Sequence, residues 1–480
     1  MLAPLVTDPS SLRHGHEPLF LKTPASLDHT LTMPASAEPN SGSTPTTASD
    51  NDDTAWSRDV WLLLAARFVR MSAFGSSSLV LALFLSALGQ TPVQVGRFLT
   101  LTLIGDFLLS LLLTFVADSV LGRRNTLRLG ALSMLLSGLV FATTTNVDYL
   151  LPAAIFGVIS PSGGEIGPFR AVEQSILATL VDKQHRPALF GWYVVTGAYA
   201  ASLATGLGGL LNRFVQGGSK ESSMVYYRGV FVWYALMGLI KLLLSLSLSQ
   251  RCEAATFRNA PSPSASSQSQ TEASERDPLL PGSNTSATTE HEEQGFSHAR
   301  FTLLCSLFAI DSLGSGMASQ TLTSWFLSRK FNAELASLGG ILSLALLVSA
   351  TSNLFSARLA NRLGLVPTMV FTHLPANIFL AMTPLPSSLG LTSAMIVARA
   401  ATSSMDQAPR SAFLSAFVPD HQRTRVLGLV NTVQTLAQSA GPSLTGWFAD
   451  MGSMGWAFHM AGLLKIGYDL GLLAAFSAVN

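Results

Sequence analysis

Charge is scarce in this sequence of 480 residues: Asp, Glu, Lys and Arg together make up 12%, against about 25% in soluble globular proteins. That excludes an ordinary water-soluble domain. A formal net charge of +1 offers nothing to a polyanion, so no nucleic-acid partner is expected. The two cysteines, Cys252 and Cys305, cannot build a disulfide framework and lack metal-ligand spacing, so neither a metal nor a cofactor is expected. No glycine-rich phosphate loop ending in Lys-Ser or Lys-Thr is present, which argues against direct ATP hydrolysis. Nucleophile, base and orienting group do not recur together in the apolar segments, which argues against an enzyme. The chain does not open on a secretory leader: residues 1–59 are rich in Ser, Thr, Pro and Asp and read as a disordered cytosolic tail.

What is abundant is apolar sequence, 48% of the residues. From Val60 onward, runs of about 20 apolar residues, the length that crosses a hydrocarbon layer, recur at 60–88, 95–117, 126–145, 149–180, 188–213 and 227–249. Residues 250–300 interrupt them with a Ser-, Pro-, Glu- and Gln-rich stretch read as a disordered cytosolic linker. Further runs follow at 301–328, 335–357, 365–384, 389–418, 424–449 and 456–478. The fold class predicted is an all-α membrane protein of two six-helix bundles, 60–249 and 301–478, monomeric in the bilayer. Lys and Arg in the short loops concentrate on the side of the N-terminus, which places both termini and the linker in the cytosol. The sequon Asn284-Thr285-Ser286 is then on the wrong side for glycosylation.

The halves repeat each other. Leu177–Gly191 reads LATLVDKQHRPALFG and Leu414–Gly428 reads LSAFVPDHQRTRVLG, aligning without a gap. The loop Ala117-Asp118-Ser119-Val120-Leu121-Gly122-Arg123-Arg124 after the second helix has a counterpart in Ala360-Asn361-Arg362-Leu363-Gly364 after the eighth. The first of these loops resembles the signature of the major facilitator superfamily, with Thr114 at its first glycine, Ser119 for a basic residue and Leu121 inserted before Gly122. The resemblance covers residues 60–478. It implies two bundles related by a pseudo-twofold axis along the membrane normal, with substrate between them and alternating access. It also implies a cytosolic gate loop of Asp118, Gly122, Arg123 and Arg124. The run Gly441-Pro442-Ser443-Leu444-Thr445-Gly446 is similar to a glycine-proline run of efflux members; its counterpart, Ala204 to Gly209, lacks the proline.

Charges inside membrane segments mark functional paths, because each costs roughly 2.5–3.5 kcal/mol to insert. Helix 4 carries Glu165, Arg170 and Glu173, helix 10 carries Arg399, Asp406 and Arg410, helix 7 carries Asp311 and helix 2 carries Asp106. These eight form the predicted substrate or proton pathway, with no catalytic residue among them. By helical spacing, Arg170 lies on the face of Glu173, and Asp406 on that of Arg410. The repeat aligns Glu173 with Arg410, which predicts an ion pair between the halves as a cytosolic gate. Lys465 and Asp469, four apart in helix 12, are expected to neutralise each other, and Lys241 and His373 to snorkel or bond a neighbour.

The function predicted is proton-coupled export of a small organic molecule, a drug or secondary metabolite, through the plasma membrane. The alternatives are uptake or vacuolar transport of an anionic solute, motivated by Arg170, Arg399 and Arg410, and a transport-dead receptor. Glu275-Arg276-Asp277-Pro278-Leu279-Leu280 resembles an acidic dileucine sorting signal, which keeps a vacuolar or endosomal membrane open.

Overall fold

A computed structural model describes residues 56–116, 121–162, 168–182, 184–215, 220–253, 298–418 and 423–476. Within a hydrocarbon layer a backbone amide finds no water, so each pass must satisfy its own hydrogen bonds as a helix. No strand occurs among the described residues. Passes one to three are α1 (Arg58–Ala87), α2 (Pro92–Val116) and α3 (Arg123–Thr143). The fourth is broken into α4 (Val147–Phe156) and α5 (Pro168–Leu180), and α6 (Arg186–Val215) and α7 (Lys220–Leu246) complete the first half. The second half opens with α8 (His298–Met317) and α9 (Gln320–Phe331), bent by 44° where they meet. The eighth pass is α10 (Leu335–Asn353) with the short α11 (Ser356–Leu363), and the ninth is α12 (Leu365–Met382). The tenth is broken into α13 (Leu389–Ser403) and α14 (Gln407–Phe417), before α15 (Arg423–Asp450) and α16 (Gly455–Phe476).

The twelve passes expected are not all single helices: the fourth, seventh and tenth are each made of two. Seven described helices are singly long and apolar enough to cross a membrane, and the bent pair α8 and α9 makes an eighth. The fourth pass breaks next to Ser160-Pro161, where proline has no N–H to donate and Val158 takes a φ of 54°. Bundle boundaries shift slightly too. Asp59, assigned to the tail, is buried in α1 and accepts hydrogen bonds from the Ser249 backbone N–H (3.0 Å) and hydroxyl (2.5 Å). The chain stays packed through the 3₁₀ turn Gln250–Cys252. Burial, with Asp59 beside it, pushes the Cys252 thiol up to about 12, so it packs as a neutral group.

The two repeats share a structural detail. Gly122 before α3 and Gly364 before α12 have φ of +78° and +90°, a region that only glycine enters without strain. Each half has an aromatic core, Phe84, Phe141 and Phe231 in the first, and Phe308, Phe413 and Tyr468 in the second. Large apolar side chains such as Leu112, Leu136, Leu211 and Leu243 stand exposed around the outside. In water such a belt would aggregate; against lipid it is the expected surface.

The halves are seamed at the face opposite the N-terminus. There α2 meets α15, and α6 meets α10. A Cβ on Gly446 would stand 2.5 Å from the Pro92 carbonyl oxygen and 2.9 Å from Gly96 Cα, and one on Gly209 would stand 2.8 Å from Gly339 Cα. These two crossings are repeat partners of each other. Thr321 and Ser324 of α9 donate across the seam to the carbonyls of Ser78 (2.9 Å) and Leu79 (2.7 Å) in α1. Toward the N-terminal face, α5 packs on α1, α2, α3 and α6, and α14 on α11 and α12, each within its own half.

Candidate functional site

The break in the fourth pass lets α5 turn Glu173 into the first bundle, where its side chain is fully buried. Its Oε2 accepts from Arg70 Nη2 on α1 (2.6 Å) and from the Tyr193 hydroxyl on α6 (2.8 Å). Lys241 Nζ of α7 lies 3.5 Å from Oε1. Arg67 stands 3.9 Å above the Tyr193 ring and donates Nε to the Tyr193 carbonyl oxygen (2.7 Å). One carboxylate is thus met by cations from two helices, α1 and α7, and by a hydroxyl from a third, α6. Arg170 remains exposed on α5 while Glu173 turns inward.

The second bundle holds a matching cluster of opposite sign. Asp311 of α8 places Oδ1 2.5 Å from Lys465 Nζ on α16, and Oδ2 3.0 Å from Arg410 Nη1 on α14. Arg410 Nη2 also reaches Asp406 Oδ2 at 2.5 Å, the intrahelical contact that spacing predicts. His373 of α12 bridges two carboxylates. Its Nε2 is 3.8 Å from Asp311 Oδ1 and its Nδ1 is 2.9 Å from Asp469 Oδ1. Asn377 Nδ2 holds the other oxygen of Asp469 at 2.7 Å.

In each half, then, the first and fourth passes are joined by an acid–arginine pair, and the sixth supplies a lysine to the acid. The sign is inverted: arginine leads from pass one in the first half, aspartate in the second. Three expectations fail here. Glu173 and Arg410 do not pair with each other, because each finds a counter-charge inside its own bundle. Lys465 and Asp469 point to different partners, Asp311 and His373. Glu173 takes Arg70 rather than Arg170. Arg70, Tyr193, Lys241, His373, Lys465 and Asp469 are absent from the predicted pathway. A repeat comparison extended to passes one and seven would have paired Arg70 with Asp311.

Asp106 is buried on α2, and its Oδ1 has no hydrogen-bond partner among the described residues. Glu165 and Asp118 lie outside the described residues. At the predicted gate loop, the Arg123 backbone N–H, at the start of α3, donates to Glu253 Oε1 (2.5 Å). A carboxylate thus caps the positive end of that helix. The same carboxylate leaves no room for a Cβ at Gly122, which would stand 2.8 Å from Oε1. Glu253 itself was assigned to the linker.

Between the halves lies a cavity of about 280 Å³. Ser162 reaches it from the first half, and Ser319, Gln320, Ser349, Arg399 and Gln438 from the second. Arg399 is the one charged residue among the described lining residues. Of the predicted pathway residues that are described, Arg399 alone lines this space, whereas Glu173, Asp311, Asp406 and Arg410 belong to the two clusters beside it.

The sequence profile of the Major Facilitator Superfamily matches residues 63–300 and 304–477. The chain belongs to the major facilitator superfamily. An uncharacterized membrane protein of Saccharomyces cerevisiae, YJR124C, is 32% identical over 432 residues, spanning 88% of this chain and 95% of its own. Among solved structures, a bacterial homologue of the iron transporter ferroportin in an inward-facing state superposes with a TM-score of 0.65 at 14% identity. It covers 88% of this chain and 99% of its own. The inward-open xylose transporter XylE of E. coli superposes with a TM-score of 0.61 at 15% identity, covering 88% and 96%. At such identity these likenesses concern the fold alone, an all-α arrangement of membrane-spanning helices. Superfamily membership makes the chain a multi-pass membrane protein and accounts for its seam, cavity and broken passes as parts of one transport architecture.

Proposed function

We propose that this major facilitator protein is a proton-coupled secondary transporter that exports a small organic solute through its central cavity. The observation that carries this reading is that a polar cavity lies between two bundles whose buried ion clusters are each self-contained. Among the described residues, separating the bundles then breaks no buried ion pair, an event that would cost about 3–5 kcal/mol. Rocking about the cavity instead parts the short polar, glycine and apolar contacts of the seam.

The coupling site proposed is the His373 cluster. Three carboxylates, Asp311, Asp406 and Asp469, face two permanent cations, Arg410 and Lys465. A proton on His373 balances the cluster and gives each ring nitrogen an N–H directed at an aspartate. Export is supported by the Gly441–Gly446 run, which resembles that of efflux members and whose last glycine makes the seam with Gly96. The cytosolic N-terminus is adopted from loop charge, and the plasma membrane is the membrane proposed for export.

Metabolites inside and outside a deletion strain and its parent identify the solute, and flux of that solute in proteoliposomes under imposed pH gradients tests the coupling. The expected result is gradient-driven flux that His373→Asn abolishes while solute exchange without a gradient survives. Flux indifferent to the gradient in the wild type would remove proton coupling. Stimulation of uptake by an inward proton gradient would reverse the assigned direction.

A further inference from the structure

Arg70 and Arg410 each bond a carboxylate, and Arg399 bonds none among the described residues. It stands half-buried on α13, facing the cavity, with no hydrogen bond or ion pair among the described residues, and its Nε is buried without an acceptor. The buried aspartate of the neighbouring cluster, Asp311, acts on it only at a distance, since its two oxygens are bonded by Lys465 and Arg410. A second donor in the same wall is also unanswered. The amide Nε2 of Gln320 is buried with no partner and lines the same cavity. Gln320 opens α9, whose N-terminal end, capped by Ser319, therefore borders this space with the positive end of its dipole. No Asp or Glu is found among the described lining residues.

An unpaired guanidinium inside a membrane domain is costly unless it meets water or a ligand. Its planar fork matches a carboxylate, which it binds through two parallel charge-assisted hydrogen bonds. A single fixed positive charge is balanced by a single negative one. The serine hydroxyls and the Gln438 amide around it offer both donors and acceptors to the rest of a solute. The volume of about 280 Å³ falls just below the range of pockets for drug-sized ligands, about 300–1,000 Å³.

We infer that the central cavity is a carboxylate site, in which Arg399 and Gln320 hold the carboxylate of a small, hydroxyl-bearing organic monoanion. This rests on the transport reading above and names the class of solute. It also separates the three arginines that pointed to an anion in the sequence. Arg410 is neutralised by Asp311 and Asp406, Arg170 stands outside, and Arg399 alone is placed to bind.

The test is the melting temperature of the purified full-length protein in detergent, titrated with potassium gluconate, potassium lactate, potassium phosphate, glucose and, for ionic strength, potassium chloride. Saturable stabilisation by gluconate or lactate, and none by glucose or chloride, is the expected result. Arg399→Gln should keep the unliganded melting temperature and weaken the carboxylate effect about 10- to 100-fold, the range expected for losing a charged hydrogen-bonding partner. Arg399→Lys, which keeps the charge but not the fork, should fall between. The site is overturned by carboxylate stabilisation equal in the wild type and Arg399→Gln, by phosphate acting alone, or by no response to either carboxylate. Flux separates this from the transport reading. Carboxylate binding at Arg399 without flux of any solute would sink transport and leave the site, whereas flux unchanged in Arg399→Gln would sink the site and leave transport.

Discussion

Glu173 is one carboxylate facing Arg70, Lys241 and the Tyr193 hydroxyl, so its removal exposes two cations to each other out of water. Glu173→Gln should therefore lower unfolding stability by about 3–5 kcal/mol, read by thermal unfolding in detergent. The swapped pair Arg70→Glu with Glu173→Arg should recover part of that loss. The swap Glu173→Arg with Arg410→Glu should recover none, because those two residues are buried in different bundles. Full recovery in the second swap would contradict the described pairing. The chain's sequence is informative about which positions carry charge and which are repeat partners. It is silent on who meets whom, because contacts such as Arg70 with Glu173 or Asp311 with Lys465 join passes more than a hundred residues apart. The i,i+4 rule failed for Lys465 and Asp469 because α8 and α12 both press on that part of α16 and offer each residue a better partner. The same rule held for Asp406, the N-cap of α14, and Arg410 one turn into it.

Among elements, the breaks matter as much as the helices. Hydropathy marks the twelve passes well, since apolar length is what a bilayer demands. It cannot tell a straight helix from α4 followed by α5, because a break at Ser160-Pro161 costs no apolar character. Two glycine positions make this scale testable. At Gly122 the backbone is in a region open only to glycine, and a methyl group would also meet Glu253. Gly122→Ala should cost about 1–3 kcal/mol of stability, seen as a lowered melting temperature, and Gly364→Ala, which is spared a Glu253 contact, should cost less. At the seam, Gly446→Val drives a side chain into Pro92 and Gly96. Spin-label distances between the ends of α1 and α9 at the far face should lengthen in that variant, with the population moving toward a form open on that face. Unchanged distances would mean that the crossing does not hold the seam.

For the molecule as a whole, the two-bundle plan was legible in the repeat and the polar stretch between the halves, whereas the cavity was not. Arg399, Gln320 and Ser162 come from three separate passes, and only packing brings them round one space. Because the described ion pairs each lie within one bundle, the connection between the bundles has little electrostatic work to do. Expressed as two chains cut within 254–297, the halves should still assemble and bind the same ligands, as measured by co-purification and by the carboxylate titration. Failure to co-purify would show that the seam alone is too weak to join them.

The inverted clusters also bear on ancestry. A tandem duplication begins with the same residues in both copies, so Arg70 with Glu173 and Asp311 with Arg410 descend from one arrangement. Reversing a single member would have put two like charges side by side in a dry interior, a change few chains survive. At least one lineage must therefore have passed through uncharged residues at these positions. A reconstructed progenitor half should therefore carry at these positions a neutral pair or one of the two modern pairs, and not two like charges.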